Sequence, residues 1–103
     1  MSVIAEFSVV PVGQGDHLSP VIARVMQIVA KSGLPYKANP MGTVLEGSWE
    51  EVMGVIKRCH DEVMKEGGRA VTSITIDDRK GMEQRMEKKL ESVERELGRK
   101  VNR

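Results

Sequence analysis

Apolar and polar positions alternate at the start of the chain. Val3, Ala5, Phe7 and Val9 fall on one side, and Ile4, Glu6, Ser8 and Val10 on the other. A period of two predicts a strand, which Pro11 and the turn residues Gly13-Gln14-Gly15-Asp16 bring to an end. The spacing then changes to three and four. Val21, Ile22, Val25, Met26 and Val29 form the apolar face of a helix, with Ser19 as its N-cap and Pro20 in its first turn. Gly33 closes that helix and Pro35 prevents its continuation.

A short strand is predicted from Tyr36 to Asn39, and a second from Thr43 to Gly47. Between them Asn39-Pro40-Met41-Gly42 reads as a hairpin turn, because Pro presets its φ and Gly tolerates a positive one. Ser48-Trp49-Glu50-Glu51 has the form of a capping box, in which the Ser48 hydroxyl and the Glu51 carboxylate satisfy each other's backbone amides. Trp49, Val52, Met53, Ile56, Cys59, Val63 and Met64 follow at helical spacing, which places Trp49 in the core, until Gly67-Gly68 stops the run. A fourth strand runs from about Arg69 to Asp77. A last helix carries Met82, Met86, Leu90, Val93 and Leu97 in a narrow stripe between dense charges.

The order βαββαβ with an extra C-terminal helix predicts an α+β fold, a ferredoxin-like sandwich of four antiparallel strands with two helices on one face. No linker or repeat divides residues 1–103, so a single domain is expected. Alternation assigns Val3, Ala5, Phe7, Val9, Ala70, Thr72, Ile74 and Ile76 to the helix side. The opposite face receives Glu6, Ser8 and Val10 from the first strand. It also receives Arg69, Val71, Ser73, Thr75 and Asp77 from the fourth. Such a face is either solvated, as in any one-sided antiparallel sheet, or covered by a second subunit or a small ligand. Its short Ser and Thr side chains suit close approach. The narrow stripe of the last helix suits docking either on its own sheet or on a neighbour.

Composition narrows the function classes. The chain has 103 residues, 40% hydrophobic and 30% charged, with a formal net charge of +1, so no strong field draws in nucleic acid or an anionic membrane. One Cys excludes an intrachain disulfide and fits a reducing compartment. With no signal-peptide pattern and no apolar run of membrane-spanning length, the expected location is cytoplasmic. Cys59 and His60 are neighbours on a helix and point apart, so they do not converge on a metal, and Cys59 reads as a small buried hydrophobe. His17 sits in the first turn and reads as solvated. Gly13 and Gly15 lack the third glycine of a dinucleotide loop. Aromatic content of 3%, with Phe7 on the helix side, removes the base-stacking platform of RNA-binding sandwiches. No nucleophile–base constellation stands out, so the expectation is a binding protein with no cofactor and no metal, not an enzyme.

The segments VIAEFSVVPVG, GLPYKANPMGTVLEG with the following SWEEVMGVIK, and AVTSITIDDR resemble the small thiamine-binding protein family, whose relatives include tandem proteins that bind thiamine or its hydroxymethylpyrimidine portion. The likeness covers nearly the whole chain, and Tyr36, Pro40, Thr43, Glu46 and Gly47 match its most specific run. It implies a ferredoxin-like fold, dimers that associate into tetramers, and ligand binding. An aminopyrimidine edge pairs with Ser, Thr, Asn or carboxylate groups, a cationic thiazolium favours a nearby Glu, and flat rings need an apolar wall. On that resemblance Glu6 and Ser8 are the polar contacts, with Asn39, Thr43 and Glu46 at the hairpin end and Tyr36, Met41 or Trp49 as the wall. Each also has a purely local use: Thr43 in a strand, Asn39 in a turn, Glu46 at a strand's end. The alternative is a structural or regulatory oligomerisation module whose open sheet face is only a subunit interface.

Overall fold

The computed structural model describes residues 2–103. Its elements are β1 (Val3–Pro11), α1 (Ser19–Lys31), β2 (Tyr36–Asn39), β3 (Gly42–Gly47), α2 (Trp49–Met64), β4 (Ala70–Asp77) and α3 (Met86–Leu97). The four strands form one antiparallel sheet in the order β2-β3-β1-β4, the ferredoxin-like arrangement that the βαββαβ pattern predicts.

The core lies between the sheet and the two crossover helices. Val3, Ala5, Phe7 and Val9 of β1 and Leu45 of β3 are buried against Val21, Val25 and Val29 of α1 and Val52, Val55, Ile56, Cys59 and Val63 of α2. The capping box at Ser48 is present in both directions, Glu51 N donating to Ser48 Oγ at 3.1 Å and Ser48 N to Glu51 Oε1 at 3.0 Å. Those bonds hold the Glu51 carboxyl below the usual range, the Ser48 backbone amide contributing most. His60 Nδ1 lies 2.6 Å from Thr72 Oγ1 and ties α2 to the edge strand β4.

Three expectations need correction. Ser19 lies inside α1; Leu18 is the N-cap and no side chain bonds the helix end, so Pro20 alone supplies the start signal. Trp49 is 48% exposed at the first position of α2, off the buried face that Val52, Val55, Ile56, Cys59 and Val63 form. The last helix starts at Met86, four residues after Met82, which is exposed.

The docking of α3 is also settled. It lies on its own sheet, over one end of the face that α1 and α2 leave open. Glu46 Oε1 accepts from Met86 N at 3.2 Å, Lys89 Nζ lies 2.5 Å from Asp77 Oδ2, and Lys37 Nζ lies 2.6 Å from Glu87 Oε1. Gln84 Nε2 donates to Asp77 Oδ1 at 3.1 Å, and Gln84 exchanges two bonds with Ser2 Oγ. Ile4 and Met86 are buried there, outside the main core. The other end of the face, with Glu6, Val10, Val71, Ser73 and Thr75, is exposed.

Candidate functional site

The pairing of β1 is unequal on its two sides. Against β4 it runs from Ile4 to Pro11, but against β3 it stops at Phe7↔Thr43. The β2–β3 hairpin turns there through Pro40 and Met41, the Asn39 side chain closing the turn by accepting from Met41 N at 2.8 Å. Among the described residues only glycines have a positive φ, and Gly42 is not one of them. Gly42 is therefore needed for closeness, not for backbone freedom: a Cβ on it would lie 2.7 Å from the Phe7 carbonyl oxygen.

Because the hairpin ends early, a cleft opens between its tip, the upper half of β1 and α1. Its volume is about 330 Å³, at the small end of the usual range for ligand sites. Phe7, Val9, Leu18, Ile22, Val25 and Met26 supply the apolar wall, and Ser8, Asn39 and Thr43 the polar side chains. Ile22 and Met26 belong to the apolar face of α1 but are only partly covered, so they present a greasy surface to the opening. Thr43 is buried, its hydroxyl donating to the Met26 sulfur at 3.5 Å.

Around the rim, on the open face, Glu6, Phe7, Ser8, Met41, Ser73 and Thr75 line a smaller depression of about 70 Å³. Asn39 Nδ2 donates to Glu6 Oε2 at 3.2 Å, so one amide both closes the turn and holds the carboxylate. Ser8 lines both hollows. Met41, at 84% exposure, stands over them as an uncovered thioether.

The structure thus brings together Glu6, Ser8, Asn39, Met41 and Thr43 of the seven residues singled out from the sequence. It does not bring Tyr36 or Glu46 to them. Tyr36 pairs with Leu45 at the far end of the hairpin, on the helix side of the sheet. Glu46 faces the opposite side, where it accepts from Met86 and borders a groove with Leu34, Pro35 and Ser48. The α1 residues Leu18, Ile22 and Met26 line the cleft yet were not among the candidates. Periodicity assigns Ile22 and Met26 to the core, and only the early end of β3 shows that they are left partly uncovered.

The sequence and the fold both match known proteins. A family profile described as "Thiamine-binding protein" matches residues 5–94. A UPF0045 protein of Methanocaldococcus jannaschii is 36% identical over 91 residues, 88% of this chain and 91% of the relative. A UPF0045 protein of Mycobacterium bovis is 38% identical over 98 residues, 94% of this chain and 96% of the relative. The crystal structure of a hypothetical M. jannaschii protein superposes with a TM-score of 0.83 at 36% identity, covering 89% of this chain and 95% of the other. A Thermotoga maritima protein, provisionally assigned to thiamine biosynthesis or salvage, superposes with a TM-score of 0.79 at 27% identity, covering 90% of this chain and 99% of the other.

Proposed function

Because the chain belongs to the thiamine-binding protein family, we propose that it binds thiamine or a related hydroxymethylpyrimidine, without catalysis, as a cytoplasmic homo-oligomer. The observation that carries this reading is the juxtaposition at the hairpin tip. An apolar cleft of about 330 Å³ takes a flat ring, and a carboxylate fixed by Asn39 stands at its rim. The Glu6 side chain faces the exposed part of the sheet, where its charge attracts a cationic thiazolium. Ser8 and Thr43 offer hydroxyls that both donate and accept, as a pyrimidine edge with mixed donors and acceptors requires. The exposed Val10 and Val71 on the same face favour cover by a second copy of the chain, which also makes a pure subunit interface the competing reading.

Calorimetric titration and thermal-shift measurements with thiamine and with hydroxymethylpyrimidine test the proposal. A saturable heat and a rise in midpoint with either compound are the expected results. Flat titrations at millimolar ligand overturn it. Glu6→Ala and Ser8→Ala are expected to weaken binding about tenfold each while leaving the fold intact, in line with the loss of one polar contact.

A further inference from the structure

The early end of β3 leaves the N–H and C=O of one residue of β1 without a strand partner. In an extended strand the N–H and C=O of one residue point to the same side, and successive residues alternate. The direction here is fixed at two points. Val12 N donates to Arg69 O at 2.9 Å, one step beyond β4. The Phe7 carbonyl, five residues earlier, lies against Gly42 of β3. Even-numbered residues of β1 therefore direct their backbone toward β4, and odd-numbered ones toward β3. Val3, Ala5 and Phe7 find partners in Gly47, Leu45 and Thr43. Val9 is next, and its place opposite would fall on Met41, which the turn carries out of the sheet. Among the described residues no bond outside the strand ladders reaches the Val9 amide or carbonyl. Pro11, the following odd residue, has no N–H to leave unpaired, as suits a position facing an open edge.

Val9 itself is buried and lines the cleft. A donor and an acceptor from one residue thus face a mostly apolar hollow, where unpaired polar groups are costly. That pair complements a planar group carrying an acceptor nitrogen next to an exocyclic N–H, which is the edge of an aminopyrimidine. Resting on the function proposed above, we infer that the N–H and C=O of Val9 read the aminopyrimidine edge. The ring nitrogen accepts from Val9 N–H and the exocyclic amino group donates to Val9 C=O. The ligand ring then takes the place that β3 leaves vacant and completes the ladder of β1. Side chains set the walls and the charge, and the backbone sets which ring is accepted.

Amide exchange and chemical shifts of the whole protein, followed by NMR, test this with two probes: hydroxymethylpyrimidine carrying its amino group, and the same ring with hydrogen in its place. Without ligand the Val9 amide is expected to exchange faster than that of Phe7, although both side chains are buried. The aminated ring should slow Val9 exchange about tenfold and move its amide signal downfield, and the ring lacking the amino group should bind about tenfold more weakly. A Val9 amide already protected in the free protein overturns the inference. So does a ring that binds and leaves the Val9 signal in place, an outcome that spares the proposed function. If neither ring binds, the inference and the proposed function fall together.

Discussion

Gly42 acts through the side chain it lacks. Its Cα sits against β1, and a methyl group there would press on the Phe7 carbonyl, a backbone group that has no rotamer with which to yield. Gly42→Ala should therefore cost about 1–3 kcal/mol, the usual penalty for overpacking, read as a lower denaturation midpoint. It should also blunt the thermal shift with ligand, because the hairpin tip must swing outward. A variant with an unchanged midpoint and an unchanged ligand response would show that the approach is not tight. At this scale much of the candidate site was legible. Strand alternation puts Glu6 and Ser8 on one face, and hairpin adjacency brings Asn39, Met41 and Thr43 close. Tyr36 in β2 and Glu46 in β3 lie at the end of the hairpin away from its turn, so hairpin adjacency alone does not carry them to the cleft. The role of the Val9 backbone cannot be read from residue types at all, since it depends on where a neighbouring strand stops.

Among the elements, α3 rests on polar links more than on apolar area, with Met86 its one buried residue. Lys89, hydrogen-bonded to the Asp77 carboxylate, is the main cause holding the Asp77 pKa below its ordinary value, and Lys37 does the same for Glu87. A carboxyl depressed in the folded state contributes stability above its unfolded pKa and loses it as the pH falls through the folded one. The attachment of α3 should accordingly weaken on acidification below the ordinary carboxylate range, and weaken also with added salt because these pairs are half exposed. Hydrogen exchange resolved by residue checks this: α3 amides should lose protection at a higher pH than those of α2. Equal acid sensitivity of the two helices would place α3 within the same cooperative unit as the core. The sequence marks α2 correctly because Ser48 and Glu51 form a reciprocal pair recognisable by spacing alone. It marks the starts of α1 and α3 poorly because neither has a side-chain cap. The apolar stripe from Met82 onward fits a helix equally well beginning four residues too early.

For the whole molecule, the sheet is covered on one face by α1 and α2 and on part of the other by α3. That leaves Val10 and Val71 exposed among Ser73, Thr75 and Glu6. If a second copy completes the cover, sedimentation should show dimers or larger assemblies, and the thermal midpoint should rise with protein concentration. Lysine placed at Val71 should push the assembly toward monomers without unfolding it. A chain that sediments as a monomer at all concentrations would leave the ligand as the only candidate for that surface. The chain also carries a built-in clock. Cys59, its one thiol, is fully enclosed, with its Sγ 3.8 Å from the Val25 carbonyl and its pKa raised to about 11 by burial. A thiol reagent can react only when α1 and α2 part from one another. The speed of labelling then times the opening of the molecule, and any compound that fastens the hairpin tip to α1 should make that clock run slow.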